Sequence, residues 1–220
     1  MEPLFDDRAH AGRLLAPRVQ ALGWPHPLVV ALPRGGVAVA TEVARRLQVP
    51  LELLLVRKIG APWQPERAVA AVVDGLPPEL VVDESGLAQA GVERAHVEAQ
   101  VREAVNEIER RRAAYLGDRR TAEVAGRDVV LVDDGLATGT TARAALRALR
   151  QRGARRLALA VPVGAADSVA ALQGEADEIV CLATPRSFFA VSPYYRRFEQ
   201  LTDAQVIGLL RQAATDPGRA

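Results

Sequence analysis

Five short runs of apolar residues, rich in valine and leucine, alternate along the chain with longer segments of helical periodicity. The runs predict strands at 28–32, 51–56, 129–132, 157–161 and 179–182. Uninterrupted apolar runs are typical of parallel strands that are buried on both faces. The periodic segments predict helices at 8–22, 37–47, 91–116, 140–151, 167–172 and 203–212. This alternation predicts an α/β fold, with a mostly parallel central sheet of about five strands flanked by helices.

Residues 60–127 contain further predicted secondary structure. Short apolar segments at 70–73 and 80–82 predict a hairpin, because Asp74-Gly75 and Pro77-Pro78 between them favour a turn. The predicted helix at 91–116 carries one apolar stripe, formed by Val97, Val101, Ala104 and Ile108. We expect this stripe to pack on the body of the protein or on a second copy in a homodimer. The chain is therefore expected to form one domain over 1–220, with a lid and helical insertion at 60–127 and a C-terminal segment at 184–220.

Composition excludes several classes of function. The 28 lysine and arginine residues nearly balance the 27 aspartate and glutamate residues, which leaves a net charge of +1. A protein that binds nucleic acid or a membrane surface through bulk charge would carry a basic excess, so neither partner is expected. The single cysteine, Cys181, excludes an internal disulfide and a metal cluster built on cysteines.

The same features favour the cytoplasm. One cysteine is compatible with a reducing compartment. The N-terminus is acidic and lacks the apolar stretch of a signal peptide. No apolar run approaches the roughly 20 residues that a membrane-spanning helix needs. We therefore expect a soluble, cytoplasmic protein.

The most informative segment is 129–141, with the sequence VVLVDDGLATGTT. It predicts a buried strand, two adjacent carboxylates and a loop of small residues that opens a helix. In a parallel sheet, ligands bind at the edge where the strands end. The loop amides suit an anion, and three hydroxyls add donors: Thr138, Thr140 and Thr141. Asp133 and Asp134 suit sugar hydroxyls or a magnesium ion, so the segment as a whole describes a site for a ribose 5-phosphate.

This segment resembles the phosphoribosyl-diphosphate signature of the type I phosphoribosyltransferases. The resemblance implies an enzyme that moves ribose 5-phosphate from phosphoribosyl diphosphate (PRPP) to a nitrogen nucleophile such as a nucleobase, with release of diphosphate, as in nucleotide salvage. It also implies Mg²⁺ as cofactor, held by Asp133 and Asp134 directly or through water. The PRPP-binding residues that it implies here are Asp133, Asp134, Ala137, Thr138, Gly139, Thr140 and Thr141.

Two other segments are similar to parts of the family's site. Pro33-Arg34-Gly35-Gly36 stands where members bind the diphosphate, often with a non-proline cis peptide bond. Its two glycines are expected to free backbone amides for an anion, and Arg34 adds a fixed positive charge. Lys58, the only lysine among the 28 basic residues, follows the second predicted strand, where members carry a basic residue and then a mobile lid. The resemblance implies three catalytic residues: Arg34, Lys58 and Asp134.

The acceptor is less closely specified. Ala137 stands where enzymes that use hypoxanthine or guanine carry an aspartate, so the pattern is closer to the adenine type. Five of the nine aromatic residues cluster near the C-terminal end, and four of them are candidates for a hood that stacks on a base: Phe188, Phe189, Tyr194 and Tyr195. Residues 5–8 are a competing hood. The clustered rings could instead anchor the C-terminal helix or a dimer face.

Two other functions stay open on the same fold. The first is a regulatory protein that senses PRPP or a nucleotide without turnover, although neither a basic excess nor a helix-turn-helix extension is present. The second is an enzyme with an acyclic or carrier-linked acceptor, in which the aromatic cluster serves something other than a base.

Overall fold

The computed structural model describes residues 2–75, 77–117, 119 and 121–215. Residues 76, 118 and 120 of the predicted insertion and residues 216–220 of the C-terminal segment lie outside the described residues. The strands are β1 (Leu28–Ala31), β2 (Leu51–Leu53), β3 (Val56–Ala61), β4 (Gln64–Val73), β5 (Glu79–Val82), β6 (Asp128–Val132), β7 (Arg156–Val163) and β8 (Glu178–Ala183). The helices are α1 (Arg8–Gln20), α2 (Gly35–Leu47), α3 (Glu84–Ala90), α4 (Arg94–Leu116), α5 (Thr140–Gln151), α6 (Ala166–Ala171) and α7 (Asp203–Thr215), with a 3₁₀ turn at Ser192–Tyr194.

A five-stranded parallel sheet forms the centre of the fold, in the order β2-β1-β6-β7-β8. Each predicted core strand except the second lies within two residues of its predicted bounds. In β1 and β6, every residue is buried, as the uninterrupted apolar runs predict. The predicted fold class is therefore confirmed.

The two faces of this sheet are covered by different helices. Val29 of β1 belongs to a hydrophobic cluster with Leu15 of α1 and Val206 of α7. Val30 faces the opposite cluster, with Leu149 of α5. This division follows from the period of two along a strand, which sends neighbouring side chains to opposite faces.

A second, antiparallel sheet contains β3, β4 and β5 in that order. The prediction of one strand over 51–56 is wrong, because β2 ends at Leu53 and β3 begins at Val56 in the other sheet. Leu54 and Leu55 connect the sheets and are both buried, so no polar residue marks the break in the sequence. The predicted hairpin is confirmed as β4 and β5, with Ala71 opposite Val81.

The predicted helix over 91–116 is also corrected. It begins at Arg94. The separate short helix α3 precedes it, ends at Ala90 and is capped by Gly91, whose φ of 59° is a conformation that glycine adopts readily. The apolar stripe packs on the body of the protein, since Val97, Ala104 and Ile108 are buried in the cluster that contains β1. The described part of 60–127 is thus packed against the central sheet and its helices. Across the described residues, no helix combines the length and the apolar character that crossing a membrane requires.

Candidate active site

The loops that follow β1 and β6 lie side by side at one edge of the central sheet. Ala31 and Val132 are paired at the ends of these strands, and the Leu32 N–H donates a hydrogen bond to the Val132 carbonyl at 3.0 Å. The structure therefore brings the two most informative motifs, 33–36 and 133–141, to the same place. This is the edge at which parallel sheets bind ligands.

The loop after β6 is arranged as an anion site. Gly139 has a φ of 74°, and α5 begins at the next residue, Thr140. The Thr138 and Thr140 hydroxyl oxygens are 3.2 Å apart. Leu136 forms a bridge with Gly164, which fixes the loop against the end of β7. The amides of a helix N-terminus with hydroxyls beside them suit a phosphate group.

The loop after β1 has a cis peptide bond between Pro33 and Arg34, of the kind that the family resemblance implies. The helix α2 begins at Gly35, two residues earlier than predicted. The Gly36 N–H donates to the Leu32 carbonyl at 3.1 Å, so the expectation that both glycine amides face an anion is wrong for Gly36.

Both glycines are required by a close approach between the two loops. A Cβ atom on Gly35 would lie 1.8 Å from the Oδ2 atom of Asp134. A Cβ atom on Gly36 would lie 2.8 Å from the carbonyl oxygen of Val132. No larger residue fits at either position without displacing the acidic strand end, because Cβ contacts this short do not occur in proteins.

Asp134 is held by hydrogen bonds at several of its atoms. Its N–H donates to Oδ1 of Asp133 at 2.8 Å, and its Oδ2 accepts from Nε of Arg8 at 2.7 Å. Its carbonyl accepts from the Tyr195 hydroxyl at 2.6 Å. Arg8 of α1 thus fixes the carboxylate of Asp134, and Tyr195 of the C-terminal segment fixes its backbone.

The Asp133 carboxyl group lies in a buried position beside Asp134. Burial, together with the neighbouring Asp134 carboxylate, raises the pKa of Asp133 well above its usual range. Among the described residues, no group of three or more histidine, cysteine or acidic side chains could hold a metal alone. The donor chemistry here is two hard carboxylates, which fits a magnesium ion that also takes oxygen atoms from a bound ligand.

A cavity of about 440 Å³ opens on Asp134. It is lined by Arg34, Gly35 and Asp134, and by Arg8 of α1. The remaining lining comes from the C-terminal segment: Val191, Phe198, Gln200 and Leu201. The two alternative hood segments, one N-terminal and one C-terminal, therefore both contribute residues to the same cavity.

Only some residues of the predicted aromatic hood are accessible to a ligand. Tyr194 and Tyr195 are core side chains, 2% and 5% exposed, and the Tyr195 ring packs against Phe5 with 5.2 Å between ring centres. These tyrosines therefore cannot stack on a base in this structure. Phe188 stacks on Tyr194 with 5.4 Å between centres, while Phe189 is 93% exposed.

Lys58 lies within β3 beside Arg57, and both side chains are exposed. Arg57 pairs with Val72 and Lys58 with Ala71, so the two basic side chains leave opposite faces of the sheet. Arg57 lines a small cavity together with Pro33 and Arg111, next to the loop after β1. Lys58 shares a face of the sheet with its strand partner Ala71. Ala71 lines a separate cavity together with Thr140 of α5. The structure thus brings Arg57, rather than Lys58, to the loop that contains Arg34.

Arg34 is connected to two residues that the sequence did not point out. A nitrogen of its guanidinium lies 3.8 Å from Oδ1 of Asp203, the first residue of α7. The same oxygen accepts a hydrogen bond from the Tyr115 hydroxyl at 2.6 Å. Burial and this carboxylate raise the pKa of Tyr115 to about 12, so it stays protonated as the donor.

Comparisons with known proteins agree on one family. Residues 4–196 match the family model described as a phosphoribosyl transferase domain. Two proteins of Mycobacterium tuberculosis, from strains H37Rv and CDC 1551, are provisionally named phosphoribosyl transferases and are 45% identical to the chain over 214 residues. Each alignment covers 97% of this chain and 48% of the relative, so the chain spans about half the length of the curated relatives it matches.

The chain is also similar to a protein of known structure. The crystal structure of TT1426 from Thermus thermophilus is 43% identical in sequence and superposes with a TM-score of 0.84. The similarity covers 96% of this chain and 99% of that protein. The similarity therefore spans nearly the whole chain rather than the central sheet alone.

Proposed function

Since the chain belongs to the family of phosphoribosyl transferase domains, we propose that it transfers ribose 5-phosphate from PRPP to a nitrogen nucleophile and releases diphosphate. One observation carries the proposal. The acid pair Asp133 and Asp134, the N-terminus of α5 and Arg34 lie at one edge of the sheet, where Arg34 and Asp134 line a single cavity. We further propose that the protein works in the cytoplasm, in nucleotide salvage.

PRPP carries three groups that match this edge. The 5-phosphate is assigned to the amides and hydroxyls of residues 137–141, because a helix N-terminus favours an anion. The ribose hydroxyls are assigned to Asp133 and Asp134, whose oxygens can accept hydrogen bonds from them. The diphosphate is assigned to Pro33, Arg34, Gly35 and Gly36, assisted by Arg57 of β3.

The chemistry requires little covalent participation by the protein. As the bond from the anomeric carbon to diphosphate breaks, positive charge develops on the ribose and negative charge on the leaving group. The fixed cation of Arg34 would stabilise the leaving group, and Asp134 would hold the sugar in position. Mg²⁺ held between the acid pair and PRPP oxygens would supply further neutralisation of the diphosphate.

The acceptor is proposed to enter beside Phe198 and Gln200. These residues line the same cavity as Arg34, together with the apolar side chains of Val191 and Leu201. An apolar wall with one amide group suits a planar, neutral molecule with polar edges, as a nucleobase is. Ala137 supplies no carboxylate to the acceptor, which favours an adenine-like base over a 6-oxopurine.

Release of diphosphate across a panel of nitrogen acceptors tests this function. The chain is incubated with PRPP, Mg²⁺ and each base in turn, and diphosphate is measured. We expect release with one class of acceptor. Binding of PRPP with no release from any acceptor would instead identify a PRPP-sensing protein, and a response to acyclic amines alone would contradict the nucleobase assignment.

A further inference from the structure

Arg8, the first residue of α1, is a buried arginine at the edge of the candidate site. It is 8% exposed. Its Nε donates to Oδ2 of Asp134 at 2.7 Å, and its Nη1 donates to the Glu199 carbonyl at 2.9 Å. Its guanidinium also lies over the Phe198 ring, 3.8 Å from the ring centre. The assignments made above give this residue no role.

These contacts fix the guanidinium from three directions. A buried charge is costly unless it is paired and hydrogen-bonded, and Arg8 meets both conditions. Movement of the guanidinium towards a ligand would break the contacts to Asp134, Glu199 and Phe198 together. Arg8 is therefore suited to hold another group in place rather than to follow a substrate.

The group that Arg8 holds is Asp134, the proposed partner of the ribose hydroxyls. With Oδ2 bonded to Arg8 and its carbonyl bonded to the Tyr195 hydroxyl, Asp134 is restrained in both its side chain and its backbone. A restrained carboxylate presents its remaining acceptor sites in one direction. Partners of this kind, placed behind a binding residue, are known to tune the affinity of the residue that they orient.

We propose that Arg8 is a positioning residue, which orients Asp134 for the ribose hydroxyls and does not itself contact the diphosphate. The proposal rests on the function proposed above. It makes both ends of the chain part of the sugar site, since α1 supplies Arg8 and the C-terminal segment supplies the Glu199 carbonyl and the Phe198 ring that hold it.

The test compares two fragments of PRPP, ribose 5-phosphate and inorganic diphosphate, by calorimetry with Mg²⁺ present. Arg8→Gln is expected to weaken ribose 5-phosphate about tenfold or more, as the loss of a hydrogen bond to a charged group would, and to leave diphosphate binding within about twofold. Asp134→Asn should show the same selective loss. Arg13→Gln is the matched control, because Arg13 lies on the same helix with an exposed side chain 3.9 Å from Glu42.

Each other outcome overturns the proposal. Equal weakening of both fragments would show that Arg8 contacts the diphosphate or only supports the fold, and an unchanged affinity for ribose 5-phosphate would show that it positions nothing. If Arg8→Gln does not fold, the same two affinities are measured for Arg8→Lys, which keeps the positive charge but lacks the planar set of guanidinium N–H donors. The same outcomes then support or overturn the proposal. A wild-type chain that binds neither fragment would contradict the proposed function as well, and this result is distinct from a failure of the variant alone.

Discussion

At the residue scale, Arg57 and Lys58 are neighbours with different surroundings. Arg57 lies against Pro33 and Arg111, whereas Lys58 is on the opposite face of β3. We expect Arg57→Gln to weaken binding of inorganic diphosphate about tenfold, because one cation beside the diphosphate loop is lost. Lys58→Gln is the matched control on the same strand and should change this affinity less than about twofold. Titration calorimetry measures the diphosphate affinity of both variants. A larger loss of affinity in Lys58→Gln would show that Lys58, rather than Arg57, contacts the diphosphate.

Some residues of the site could be predicted from the sequence and others could not, for a physical reason. Asp133, Asp134 and the threonines occupy one contiguous loop, so their spacing alone indicates a phosphate beside hydroxyls. Arg8 is 126 residues away from Asp134 along the chain, and no local pattern connects the two. The only signal was the candidacy of residues 5–8 as a hood, which put Arg8 near the site without giving it a partner.

At the scale of elements, the beginnings of β6 and β7 are joined through Asp128. The buried Asp128 carboxylate accepts hydrogen bonds from Arg156 and Arg155, and these bonds hold its pKa below the ordinary value of 3.8. Because the folded-state pKa is lowered, the stabilisation is fully present above about pH 4 and is lost as the pH falls through the folded-state value.

Asp128→Asn should therefore destabilise the protein by about 1–3 kcal/mol at pH 7, the range for hydrogen bonds to charged groups. The difference in free energy of unfolding between wild type and variant should shrink as the pH falls below about 4. Urea unfolding at a series of pH values measures this difference. A gap that stays constant between pH 7 and pH 3 would show that the arginines do not stabilise the ionised carboxylate.

Element boundaries were least predictable where burial is continuous. The run from Leu51 to Leu55 is buried throughout, although the chain leaves the parallel sheet after Leu53 and enters the antiparallel one at Val56. Periodicity reports burial, and burial does not change at this switch. By contrast, the turn between β4 and β5 was predictable because glycine and proline punctuate it.

At the scale of the whole molecule, the segment before α1 packs on the segment between β8 and α7. Phe5 is 5% exposed and packs on Tyr195, and its carbonyl accepts a hydrogen bond from the Arg196 N–H at 2.8 Å. Phe5→Ala should lower the free energy of unfolding by about 3 kcal/mol, as buried phenylalanine truncations do. The control Phe189→Ala, at a 93% exposed position, should stay within about 0.5 kcal/mol. Equal effects in urea unfolding would mean that these two segments do not pack as described.

The proposed function depends on PRPP binding at the edge of the sheet where Asp134 and Arg34 line one cavity. Titration calorimetry of PRPP with Mg²⁺ into the intact chain tests this most directly. We predict one site per chain, with binding lost in Asp134→Asn while the thermal unfolding temperature of that variant stays close to that of wild type. No measurable binding to the wild-type chain, or equal affinity in the variant, would contradict PRPP binding at this site.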